Sequence, residues 1–132
     1  MILDDLSDLL STGTAACASI LKGSLQDRPD TTLCLREVGG RPADHAMSSG
    51  PGHAVAEHPR VQVIARDPTY EDARLIAHRA YVKLDGLAEV TKNSTLYHWI
   101  TAVQPPFLLG IDDNDRTLIA FNVDITKGLS AT

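Results

Sequence analysis

The residues best suited to chemistry gather in one stretch. His45, His53 and His58 lie with Asp44 and Glu57 inside GGRPADHAMSSGPGHAVAEHP, Gly39 to Pro59. Imidazole beside carboxylate can hold a zinc ion or pass a proton, but either task needs the groups fixed against one another on a rigid support. Here the support is Gly, Pro, Ser and Ala, so the stretch reads as a solvated loop before it reads as a zinc cluster or an acid-base pair. A second concentration, Asp112, Asp113, Asn114 and Asp115, is rich in the oxygen ligands that calcium takes. It lacks the alternate-position spacing and closing Glu of an EF-hand loop and reads as a hairpin turn. His78 and His98 are isolated. Neither G-x-S-x-G, nor a phosphate-binding P-loop, nor a dinucleotide glycine fingerprint occurs in the sequence. No catalytic residue, metal ligand set or cofactor is therefore assigned.

The remaining reactive or stacking side chains have plainer readings. Cys17 and Cys34 have no C-x-x-C spacing and read as reduced, small hydrophobic residues. Tyr97, Trp99 and Phe121 could stack on bases, but the twelve Lys and Arg are scattered and the net charge is -5. Clustered cations are what a phosphate backbone rewards, so core packing is the better reading of these aromatics. The amino terminus MILDDLSDLL has no Lys or Arg ahead of its apolar residues, which argues against a secretory signal. A membrane span, needing about eighteen consecutive apolar residues, is not expected either.

These side chains must be positioned by a framework, and its elements are more legible than any site. With 132 residues, 43% of them apolar, the chain suits one domain, residues 1–132, around one core. Ile2, Leu3, Leu6, Leu9 and Leu10 make one side of an amino-terminal helix, with Asp4, Asp5 and Asp8 expected to face water and Gly13 to end it. ASILK, within Thr14 to Gly23, favours a short strand. TTLCLREV, Thr31 to Val38, alternates with Leu33 and Leu35 on one face.

Residues 39–59 then form a long flexible loop with almost no large apolar side chain, unusual inside a compact domain and commonly a place where function resides. Val61, Val63 and Ala65 alternate with Gln62, Ile64 and Arg66 in a strand. Across Asp67-Pro68 the period changes from two to that of a helix, with Asp67 or Thr69 as cap and Thr69 with Asp72 at capping-box spacing. Tyr70, Ala73, Ala77, Ala80, Leu84 and Leu87 recur along one helix face, widened by Ile76 and Tyr81, and the alanines allow close approach to a sheet. Ser94 to Gln104 and Asp115 to Thr126 read as a terminal β-hairpin whose connection, PPFLLGIDDND, carries the turn. The expected fold is α+β, a mostly antiparallel sheet of about four strands packed by two main helices.

In this order the chain resembles the small tail terminator proteins of long-tailed bacteriophages, also known as phage minor capsid proteins. The resemblance is carried by EVGGRP at Glu37 to Pro42, EHPRVQVIARDPTYEDARLIA at Glu57 to Ala77 and QPPFLLGIDDNDRTLIAFNVDI at Gln104 to Ile125. It implies a structural protein and not an enzyme. The implied assembly is a hexameric ring that ends the tail tube and joins the tail to the head connector. Its partners would be further copies of itself, the major tail tube protein and a head-completion or connector protein. DNA would pass through the lumen without sequence-specific binding. The implied location is the head-tail junction of a virion assembled in the host cytoplasm. Arg41, Arg60, Gln62 and Arg66, around the loop and the outward face of the adjoining strand, are the candidates for the polar part of a subunit or partner contact. Two alternatives stand beside this one: a head-completion or neck protein of the same virion, and a small metal- or His-dependent enzyme.

Overall fold

The fold was obtained as a computed structural model that describes residues 2–11, 17, 19–45, 54–92 and 95–128. Two helices and seven strands follow one another as α1 (Ile2–Ser11), β1 (Ile20–Lys22), β2 (Thr32–His45), β3 (Ala54–Asp67), α2 (Tyr70–Leu84), β4 (Leu87–Lys92), β5 (Thr95–Ala102), β6 (Phe107–Ile111) and β7 (Thr117–Lys127). They form one sheet in the order β1-β2-β3-β7-β5-β4, with β6 also on β7. Only the β1–β2 pair is parallel among the described strands. The α+β class is as expected, but the count of about four strands is too low.

The helices cover one face. Val61, Val63 and Ala65 of β3 and Ile119, Phe121, Val123 and Ile125 of β7 are buried beneath them, with Leu33 and Leu35 of β2 beside Leu6 and Leu10 of α1. Ala73, Ala77 and Ala80 of α2 are buried, and α2 packs on β3 and β7. Small side chains at that spacing let the helix axis approach the sheet, as the sequence pattern predicts. The opposite face has its own smaller cluster, Cys34, Ile64 and Ala120, against which Leu21, Leu25, Phe107 and Leu118 pack. Burial keeps the Cys34 thiol above its usual pKa range, since a thiolate there would be poorly solvated.

Several local expectations are corrected. Asp5 does not face water: it is 1% exposed and accepts a hydrogen bond from the Tyr97 hydroxyl. Gly13 lies outside the described residues. The Thr69 side chain makes no cap; the Asp67 carboxylate instead accepts the Thr69 N–H at 2.8 Å and the Thr31 hydroxyl at 2.6 Å. Leu87 leaves the helix stripe for β4, because the helix closes with Asp85 N–H on the Tyr81 carbonyl at 2.9 Å and Gly86 follows at φ 85°, a conformation that favours glycine.

Much of the stretch expected to be a loop, 39–59, is strand. β2 runs on to His45 and β3 begins at Ala54, paired with shifts of register, while residues 46–53, including His53, lie outside the described residues. A glycine is required in this pairing at one place: a Cβ on Gly40 would sit 2.1 Å from the His58 carbonyl oxygen, whereas one on Gly39 would meet nothing within 4 Å.

The terminal hairpin exists, but its connection contains a strand. β5 pairs with Val123 to Lys127 of β7 and β6 with Thr117 to Ala120, so the two share one side of β7. Pro105 and Pro106, which have no N–H to give a ladder, occupy the break between them. Val103 N–H still reaches the Asn122 carbonyl at 2.8 Å, and the Gln104 side-chain oxygen accepts the Asn122 N–H at 3.4 Å.

Candidate assembly surface

Period-two alternation puts Arg60, Gln62, Ile64 and Arg66 on the face of β3 turned away from the helices. Their surroundings differ sharply along the strand. Arg60 lies opposite Asp124 of β7 and donates to both its oxygens, from Nε at 2.6 Å and from Nη2 at 3.1 Å. That bidentate contact, followed by the charge of Asp124, holds the guanidinium pKa above its ordinary value. Gln62 Oε1 accepts from the exposed Arg36 on β2 at 2.8 Å. Arg41 is placed by its backbone, opposite His58.

Arg66 is not a surface residue. It is 2% exposed, and its guanidinium donates to the backbone carbonyls of Pro29 and Asp30. Burial, reinforced by the nearby Arg116 charge, lowers its pKa. Arg116, also buried, donates to Asp112 Oδ2 at 2.8 Å, to Asp30 Oδ1 at 3.0 Å and to Asp27 Oδ1 at 3.0 Å. The two arginines therefore clamp the segment around Asp27–Asp30 at the Arg66 end of this face. Arg66, a candidate contact residue on the outward face of the strand, is instead covered by a distant segment.

The acidic run is a turn held from within. Asp112 Oδ1 accepts the N–H groups of Asn114 at 3.0 Å and Arg116 at 2.9 Å. Burial alone would raise its pKa, but those two bonds and the Arg116 guanidinium outweigh it and the pKa falls. His58 Nδ1 lies 3.4 Å from the Thr126 hydroxyl, His78 stacks on Tyr81, and His98 Nδ1 is 3.8 Å from Glu89 Oε1. These three histidines thus lie on separate elements, β3, α2 and β5. Tyr97 and Phe121 are core residues, but Trp99 is 49% exposed on the outer face, contrary to the core role expected of it.

What sequence reasoning missed is the exposed apolar surface. Leu108, Leu109 and Ile111 of β6 are 53%, 44% and 65% exposed, with Val103 just before them and Tyr70 and Leu75 exposed on α2. Between α2 and the β5–β6 break runs an apolar groove of about 580 Å³ lined by Tyr70, Arg74, His78, Tyr81, Pro105 and Pro106. The available signal was the run FLLGI itself, an apolar stretch too rich for a solvated connection.

A family model for the bacteriophage tail terminator protein matches residues 6–127. The chain belongs to the bacteriophage tail terminator family. That family is a structural component of phage virions and not an enzyme family. The same fold occurs in a solved chain described as the virion of a native gene transfer agent particle, with a TM-score of 0.69 at 12% identity, covering 97% of this chain and 95% of that one. No curated protein matches the sequence. This tail terminator family member therefore presents exposed aliphatic residues along β6 and beside α2, while Arg60, Arg66 and Arg116 are engaged inside the subunit.

Proposed function

We propose that the protein is the subunit of a hexameric ring that ends the tail tube and joins the tail to the head connector. The observation that carries this reading is the tail terminator family match over residues 6–127. The exposed aliphatic surface supports it, because a subunit that must associate needs apolar area to bury. The ring would meet the major tail tube protein on one side and a head-completion or connector protein on the other, at the head-tail junction.

Arg41, Gln62 and Arg60, the last as a part-exposed ion pair with Asp124, are proposed as polar contributors to a subunit contact; Arg66 is not among them, since it is buried beneath the chain at Pro29 and Asp30. A net charge of -5 supports passage of DNA through the lumen without sequence-specific binding, since phosphates are retained by free clustered cations. Electron microscopy of particles assembled without this protein tests the reading. Tails of uncontrolled length, unjoined to heads, are expected. Tails of normal length joined to heads would overturn it, and normal-length tails separated from heads would reassign the protein to the neck.

A further inference from the structure

Besides β1 and β4, which end the strand order, the sheet is open along β6 and along part of β2, and these two edges are of unlike character. β6 pairs with β7 alone among the described strands, and its five residues carry Leu108, Leu109 and Ile111 into solvent. Natural edge strands are commonly blunted by a charge, an internal proline or a covering segment, because unpaired N–H and C=O groups invite another strand. The strand FLLGI has neither charge nor proline. On the far side of the sheet, β1 pairs with β2 only at Leu33 to Leu35, so β2 from Arg36 to His45 has no described strand on that side.

From these edges we infer that β6 of one copy adds as a strand to the open edge of β2, beyond Leu35, in a second copy of this chain. The inference rests on the ring reading above and specifies its contact. Charge favours this partner. β6 runs into Asp113 and Asp115, exposed carboxylates that no described cation faces, and β2 opens at Arg36, whose described bond goes to the neutral Gln62. Position favours it too. β6 lies beside the Thr117–Ala120 end of β7, whereas the open part of β2 lies beside Gln62 and Arg60, which pair with Asn122 and Asp124 nearer the other end. The two edges are thus on opposite sides and at opposite ends of the sheet. Joining them makes a heterologous contact that repeats from copy to copy, as a ring requires, and does not close as a twofold dimer. Main-chain bonds would supply the pairing and the aliphatic side chains the buried area.

The test uses assembled tails containing the full chain with Cys17→Ala, since Cys34 is buried. Leu109→Cys is combined in turn with Glu37→Cys, Val38→Cys and Gly39→Cys, and a short thiol-to-thiol crosslinker is applied. At least one pair should give a ladder of multiples of the chain, and none of the single variants should. A Leu109→Cys homodimer, or linkage of Leu109→Cys to a different protein, would overturn the inference. A ring visible at the tail end with no ladder from any pair would overturn it while leaving the ring reading intact; loss of the ring reading itself would show as tails of the unsubstituted protein with no copy at that end. Ile111→Lys, at a position already exposed in the subunit, gives the independent measure. It should melt with the parent but reduce incorporation into tails tenfold or more, and undiminished incorporation would refute the contact.

Discussion

Replacing Tyr97 by Phe removes one hydroxyl from the buried contact between α1 and β5. Both Tyr97 and Asp5 are 1% exposed, and they are joined across most of the chain's length. Hydrogen bonds to a charged group contribute about 1.5–3 kcal/mol, and the lower part of that range applies where the acceptor keeps another interaction, as Asp5 does. The variant should therefore lose about 2 kcal/mol, a melting-temperature fall of roughly 5–10 °C for a domain of this size. Denaturant unfolding should show a lower midpoint at unchanged slope, because the surface exposed on unfolding is the same.

Alkaline pH probes the same contact. Burial, then the hydrogen bond to Asp5 and its charge, raises the Tyr97 phenol above the ordinary value of 10.0. A folded-state pKa above the unfolded one contributes stability that is fully present below pH 10.0 and is lost as pH rises toward the folded value. The parent should therefore destabilise above that pH more steeply than Tyr97→Phe. Equal melting temperatures near neutrality, together with equal alkaline slopes, would refute the assignment of this hydroxyl to the core contact.

Three further outcomes follow from particular contacts. Gly40→Ala should cost about 1–3 kcal/mol, as its Cβ would collide with backbone at His58, while Gly39→Ala in open space should be close to neutral; calorimetry of the pair checks this. Ala77→Leu and Ala80→Leu should each overpack the helix-sheet layer by about 1–3 kcal/mol, seen as lower thermal midpoints, and parental melting in both would contradict the close approach of α2. Arg66→Glu should destabilise the free subunit by about 3 kcal/mol or more, since it would aim a buried carboxylate at the carbonyls of Pro29 and Asp30, and circular dichroism at increasing urea should show a lower midpoint.

The sequence by itself determined the elements whose signal is local. The alternation of Val61, Val63 and Ala65, the period change across Asp67-Pro68 and the alanine stripe of α2 each depend on neighbours within a turn or two, and the structure has them in those roles. The three quoted stretches were also enough to identify the resemblance to the family that matches residues 6–127. Alternation assigned Arg60, Gln62 and Arg66 to one face of β3 but could not say which part of that face a distant segment would cover. Tertiary structure decided that, by laying the chain around Asp27–Asp30 over Arg66 and leaving Gln62 to meet Arg36 in the open. It likewise buried Asp5 against Tyr97 and made β6 an edge strand, turning an apolar run that looked like a connection into exposed surface. The physical reason is the same in each case. Periodicity fixes which side of an element a residue occupies, but burial depends on what packs against that side, and those partners come from far along the chain.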